Sequence, residues 1–210
     1  MALFADRTAA GRELGTALAD RRGTDAIVFG IPRGGIVVAA EVSRLLALPL
    51  APVVVRKLGV PSNEEYAVGA IADGIRVMND GFRSARALSA DQLQEVEERE
   101  RAELLRRTRR FGSVADDLSG VTAIVVDDGV ATGATAIAAC RSLRSRDCDA
   151  VVLAVPVAPA GWEPDPGAAD EFVCPHREHD FWAVGQFYDD FTQTSDAEVV
   201  ELLSHDPRVG

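Results

Sequence analysis

The chain has 210 residues, 47% hydrophobic and 26% charged, with a net charge of −11; that make-up suits a globular protein with one sizeable core, or a core plus a small lobe. The acidity argues against a nucleic-acid surface, which needs basic patches, yet a small polyanion can still be held by backbone amides and a cation. No apolar run reaches the length of a membrane span, the N-terminus lacks an apolar signal core, and three cysteines without a CxxC pair argue for a reducing cytoplasm over a disulfide framework.

In chain order, Ala10, Leu14, Ala17 and Leu18 recur at helical spacing in "FADRTAAGRELGTALADRR". "DAIVFGIPRGG" reads as a buried strand, Ile27 to Phe29, broken by Gly30, Pro32, Gly34 and Gly35, and "IVVAAEVSRLLAL" as a well-buried helix. "LAPVVVRKLGVPSNEE" predicts one continuous apolar strand ending at Arg56-Lys57, then a Gly/Pro/Asn loop. "AVGAIADGIRVMND" predicts a strand, a turn at Asp73-Gly74 and a short return strand. Residues 89–111 form a charged helix: Ser89 and Gln92 make a capping box, and Glu95–Arg99, Glu97–Arg101 and Glu103–Arg107 are i,i+4 pairs. Its thin apolar stripe, Leu93, Val96, Leu104 and Leu105, predicts a solvated helix packed by one edge.

"VTAIVVDDG" and "DAVVLAVPVAP" are further strands without polar alternation, flanking the helix "TAIAACRSLRSR". Such strands separated by helices imply a parallel sheet covered on both faces. The expected fold is therefore α/β, with residues 1–160 as the core and 161–210 as a small aromatic-rich hood with a closing helix.

The stretch "AIVVDDGVATGAT" carries the chemistry. In an open α/β sheet the ligand crevice lies at the carboxyl ends of the strands, where Asp127 and Asp128 fall. Two adjacent carboxylates repel, and keeping both ionised needs solvent, donors or a cation; the neighbouring hydroxyls of a ribose, or hydrated Mg²⁺, are natural partners. The loop behind them offers Gly129 and Gly133 for close backbone approach and the hydroxyls of Thr132 and Thr135, followed by the positive end of a helix. Diol acceptors followed by a phosphate cradle describe a ribose 5-phosphate site; an acidic strand end with a plain N-cap turn is the simpler alternative. No lysine completes a Walker A loop, "GIPRGG" lacks the GxGxxG spacing, and the acids are DD rather than DxD.

This signature resembles the 5-phosphoribosyl 1-pyrophosphate (PRPP) motif of type I phosphoribosyltransferases, departing from it at Gly129, where many members carry an aliphatic residue. "FxDRxxAGxxL", "GIPRGG", "RKLGVPxNEEYAVGA" and "FWAVGxFYxDFxQ" extend the resemblance over about residues 4–200, towards a bacterial branch of predicted phosphoribosyltransferases with unassigned acceptor. The resemblance implies a five-stranded parallel core with a hood, and displacement of pyrophosphate from carbon 1 of PRPP by a nitrogenous acceptor. It implies that Asp127 and Asp128 take the ribose hydroxyls. Ala131, Thr132, Gly133, Ala134 and Thr135 would hold the 5-phosphate. Arg33, Gly34 and Gly35 would form the pyrophosphate loop, often with a cis non-proline peptide, and Arg56 and Lys57 would shield the leaving group. Glu64 or Glu65 in a closing loop is a candidate general base, and Mg²⁺ is expected on pyrophosphate oxygens and water.

Other readings stay open. "GIPRGG" also suits a plain strand–turn–helix connection, and Arg56-Lys57 also suits a solvated strand end. Trp182 and Tyr188 are candidates to stack on a flat acceptor, or hood packing. Cys174, His176 and His179 match no strong zinc spacing. No nucleic-acid or membrane partner is expected, and a homodimer is left open. A PRPP- or nucleotide-sensing regulator without turnover is the alternative to a transferase.

Overall fold

The computed structural model describes residues 2–60, 63–72, 75–78 and 89–204, with the backbone alone for 60, 63–68 and 90. The central sheet is five-stranded and parallel. Its strands are β1 (Ala26–Gly30), β2 (Leu50–Pro52), β6 (Thr122–Val126), β7 (Ala150–Ala154) and β9 (Glu171–Val173), in the order β2-β1-β6-β7-β9. Side chains alternate across it, as period-2 geometry requires. Phe29, Val125 and Leu153 pack on helix α4 (Ala134–Arg144), while Val28, Ile124 and Val152 pack on α1 (Arg7–Ala17) and α2 (Gly34–Leu46). Both faces are therefore apolar, which is why the strands lack polar alternation in sequence.

The register brings Gly30, Val126 and Ala154 level at the carboxyl ends. From β1 the chain crosses to β2 on one side, and from β6 to β7 on the other. The loops after β1 and β6 diverge there, so their crevice is a topological switch point.

Three expectations change. The apolar run 50–57 is two strands rather than one: β2 joins the central sheet, and β3 (Val55–Val60) leaves it to pair antiparallel with β4 (Asn63–Ala72), which pairs with β5 (Ile75–Met78). Arg56 and Lys57 thus lie inside an arm strand, paired with Ile71 and Ala70, rather than at the end of a parallel strand. Gly59, Val60 and Asn63 to Glu65 are strand rather than loop, because the hairpin pairing runs on to Val60 opposite Asn63. The side chains of Glu64 and Glu65 and the turn at Asp73-Gly74 lie outside the described residues. Finally, β9 comes from the stretch expected as hood yet completes the sheet beside β7.

Helix α3 (Ala90–Phe111) opens with the expected capping box, the Ser89 hydroxyl accepting from Gln92 N–H at 3.2 Å and the Gln92 side chain from Ser89 N–H at 3.0 Å. It packs on the arm and on α5 (Asp196–Ser204) through Val96, Leu104 and Phe111, with Ile36, Leu58 and Val199. Leu105, expected on that stripe, is exposed. Two short strands, β8 (Val157–Pro159) and β10 (His176–Glu178), pair with each other and carry the hood. Among the described residues no helix is long and apolar enough to cross a membrane.

Candidate active site

The loop after β1 and the loop after β6 meet face to face. A Cβ on Gly35 would lie 2.9 Å from Asp127 Cα, and one on Gly34 would lie 2.1 Å from Asp128 Oδ2. Only glycine permits this approach, which gives the two glycines of "GIPRGG" a packing role that a simple turn does not need. The Pro32–Arg33 peptide in this loop is cis.

Each aspartate commits one oxygen to the protein. Asp127 Oδ1 accepts the Asp128 N–H at 2.9 Å, and Asp128 Oδ2 accepts Arg7 Nε at 2.8 Å. Asp127 Oδ2 and Asp128 Oδ1 have no protein partner among the described residues. The pair is half-buried rather than fully exposed. Burial, then the charge of Asp128, pushes Asp127 well above the usual carboxylate range, against the pull of the Asp128 N–H, Lys57 and Arg7. Burial also raises Asp128, opposed by the charge and hydrogen bond of Arg7.

Behind them, Gly133 has φ +85° and leads directly into α4 with no side-chain cap on that helix, so the first N–H groups of α4 point into the crevice uncapped. The Thr135 hydroxyl is buried without a hydrogen-bond partner. Val130 N–H donates to Val157 O at 3.0 Å, tying the loop to β8. At Gly129, the point of departure from the motif, a Cβ would lie 2.6 Å from Val184 Cγ1; a hood valine occupies the space that an aliphatic residue would fill. The Trp162 ring crowds Gly133 in the same way, a Cβ there lying 2.3 Å from it.

Around these groups opens a cleft of about 490 Å³, lined by Lys57, Asp127 to Gly133, Thr135 and, from the hood, Trp182 to Gly185 and Phe191. A second hollow of about 280 Å³ adjoins it through Lys57 and Thr135 and is lined by Arg56, Glu100 and Arg107.

Several expected site residues are placed elsewhere or otherwise engaged. Arg56 is held by Glu100 of α3, its Nε and Nη2 donating to Glu100 Oε2 at 2.9 and 2.7 Å. Arg99 also donates to Glu100, at 3.1 Å, instead of pairing with Glu95. A buried acid needs counter-charges, so Arg56 serves α3 and only Lys57 of the pair lines the main cleft. Arg33 does not line it either; its Nη1 lies 3.6 Å from Asp196 Oδ1 at the start of α5. Tyr188 is 5% exposed, packed on Phe4 and Phe191, and its hydroxyl donates to the Asp128 carbonyl at 2.5 Å; it is a support rather than a stacking surface. Trp182 is 90% exposed at the cleft mouth. His176 faces Glu13 at 2.6 Å, and among the described residues no group of three His, Cys, Asp or Glu side chains converges.

A family model described as the phosphoribosyl transferase domain matches residues 5–192. The chain belongs to the phosphoribosyl transferase domain family. Two Mycobacterium tuberculosis proteins, from strains CDC 1551 and H37Rv, are each 49% identical over 207 residues and each bear the name "Putative phosphoribosyl transferase". The alignment takes in 97% of this chain but 47% of theirs, so the chain spans about half the length of these curated relatives. A Thermus thermophilus protein of solved structure is 37% identical with a TM-score of 0.72, covering 97% of this chain and 98% of its own. A Neisseria gonorrhoeae protein solved with bound ppGpp shares the fold at 16% identity and a TM-score of 0.50, over 94% and 91% of the two chains.

Proposed function

We propose that this phosphoribosyl transferase chain binds PRPP at the carboxyl ends of β1 and β6 and passes the phosphoribosyl group to a small nitrogenous acceptor, releasing pyrophosphate. The observation that carries the reading is the pair of free carboxylate oxygens, Asp127 Oδ2 and Asp128 Oδ1, beside an uncapped helix N-terminus in one cleft. A ribose presents two adjacent hydroxyls to the first and a 5-phosphate to the second.

In this reading the free oxygens accept the ribose 2- and 3-hydroxyls. The amides of residues 131–136 and the hydroxyls of Thr132 and Thr135 receive the 5-phosphate. Both aspartates, held by the chain before substrate arrives, offer negative charge to a carbon that becomes cationic as pyrophosphate departs. Lys57 faces the leaving group, and Trp182 with Phe191 borders the space left for the acceptor. Among the described residues Lys57 is the one cationic side chain lining that cleft, so most of the charge of a bound pyrophosphate is left for a hard cation to balance. Mg²⁺, held mainly by pyrophosphate oxygens and water, would neutralise the leaving group's charge.

Thr135 supplies a test that separates binding from folding. Since its hydroxyl has no partner, Thr135→Val leaves the melting temperature unchanged or slightly higher. It weakens ribose 5-phosphate by about tenfold or more, the scale of a hydrogen bond to a charged group. Calorimetry beside thermal melting checks both.

One observation supports a second reading, a PRPP- or nucleotide-sensing protein without turnover: Arg56 is engaged by Glu100, leaving Lys57 as the one cation that lines the main cleft among the described residues. A panel of bases and small amines, assayed for pyrophosphate release, decides between them. Release with one acceptor supports the transferase; tight PRPP binding with no release from any supports the sensor.

A further inference from the structure

The two aspartates are not held alike. Among the described residues, the Asp127 carboxylate is held only by the adjacent Asp128 N–H. Asp128 is gripped twice from distant parts of the chain, its carbonyl by the Tyr188 hydroxyl at 2.5 Å and its Oδ2 by Arg7 Nε at 2.8 Å. Arg7 in turn is held on three sides. Its Nη1 donates to Thr192 O at 2.8 Å, its guanidinium lies 3.9 Å from the Phe191 ring centroid, and its Nε approaches the backbone of Gly34 too closely for any side chain there. The side chains of Arg7 and Asp128 are 11% and 16% exposed.

Arg7 reaches this point because residues 3–5 run beside the hood. Leu3 and Phe4 N–H both donate to Phe187 O at 2.9 Å, while Asp189 and Asp190 N–H donate to Phe4 O and Ala5 O at 2.9 Å. Asp6 then caps α1, accepting from Ala9 N–H at 2.7 Å, so Arg7 is the first helical residue. Its rigid fork is suited to two acceptors at once in a way that a lysine is not.

We propose that Arg7 is a positioning residue of the phosphoribosyl site: it fixes the orientation of Asp128 and makes the two carboxylates unequal, Asp128 the pinned anion and Asp127 the one left to respond to ligand. The proposal rests on the PRPP reading for its purpose, but not for its geometry. The groups facing the carboxylates are Arg7 from α1, Lys57 from β3, the Tyr188 hydroxyl from the hood and the N-terminal end of α2 at Gly34 and Gly35. Of the two cations, only Arg7 makes a hydrogen bond to either acid. Removing it takes a counter-charge from both and a fixed rotamer from Asp128 alone.

The test uses the full chain labelled with ¹³C at the aspartate carboxyl carbon, titrated by NMR without ligand, with Asp127→Asn and Asp128→Asn to assign the pair. The same proteins are titrated calorimetrically with PRPP and Mg²⁺. In the wild type Asp128 ionises in the lower of the two steps of the coupled pair. Arg7→Gln moves that step to higher pH and weakens PRPP by about 10- to 100-fold, the range seen when groups that orient ligating side chains are removed. Arg7→Lys keeps the charge but loses the fork; it leaves the step near its wild-type position and binds PRPP with an affinity between the two. A folded Arg7→Gln protein with both steps and the affinity unmoved overturns the proposal. If Arg7→Gln does not fold, Arg7→Lys with full wild-type affinity overturns it instead. Wild-type protein that does not bind PRPP contradicts the proposed function, and the NMR titration alone then decides whether Arg7 governs Asp128.

Discussion

Replacing Asp127 and Asp128 together with Asn lowers pyrophosphate release by about two to three orders of magnitude, the scale of losing preorganised charge at a reacting centre, in a protein that remains folded. Asn keeps an oxygen acceptor for each ribose hydroxyl, so ground-state PRPP binding falls much less than turnover. Each tenfold of difference corresponds to ~1.4 kcal/mol of barrier. The single variants separate in stability. The folded-state pKa of Asp127 is raised by burial, so the folded chain holds a proton that the unfolded chain releases at about pH 4. That contribution is complete at acid pH and is lost as pH rises through the raised value. Asp127→Asn therefore flattens the pH dependence of the melting temperature and raises it at neutral pH, by about 2–4 °C for each kcal/mol gained. Asp128→Asn lowers it, since a nearly buried Arg7 loses its counter-ion. Melting curves from pH 4 to 8 with a pyrophosphate assay check the set. Full turnover in the double variant, or collapse of the fold, would mean that the aspartates serve structure.

Gly35→Ala has the second largest effect expected. Its Cβ would meet Asp127 Cα, Asp127 Oδ1 and Val126 O, all at 2.9 Å. Asp127 directly follows β6, which is paired on both sides, to β1 and to β7, so that strand cannot retreat. The loop after β1 must shift instead, dragging the start of α2 away from the crevice. Overpacking of this kind costs about 1–3 kcal/mol, and the displaced loop weakens PRPP by about tenfold or more, that being ~1.4 kcal/mol. Gly34→Ala meets the ends of side chains, Asp128 Oδ2 and Arg7 Nε, and disturbs the ion pair rather than the sheet. A Gly35→Ala protein that binds PRPP and melts like the wild type would show that the two loops do not share one site. Calorimetry and melting read both quantities.

How much of this was legible in sequence depends on range. The parallel sheet follows from "AIVVDD", "AVVLA" and "AIVFG", because strands buried on both faces cannot alternate polar residues. The loop that leads uncapped into α4 follows from Gly133, Thr132 and Thr135 in one local stretch. What stayed hidden is long-range. Nothing near Arg56 marks Glu100, 44 residues on, as its partner, so the cation looked free for the leaving group. Nothing near Asp128 marks Arg7, 121 residues earlier; only the string "FxDRxxAGxxL" in the family resemblance includes that arginine. Tyr188 stayed open between stacking and hood packing because aromatic content alone does not tell a hood's packing from its binding face. The run "LAPVVV" is uniformly apolar whether it continues one strand or bends out of the sheet into an arm, and periodicity cannot tell these apart. The three-residue β9 is too short to carry a pattern.

The proposed function requires that the crevice between β1 and β6 receive a ribose with its 5-phosphate. Calorimetric titration with PRPP, with and without Mg²⁺, tests it most directly. The structure predicts saturable binding that tightens with Mg²⁺ and weakens in Thr135→Val; absence of heat at millimolar PRPP in the folded wild-type chain would contradict it.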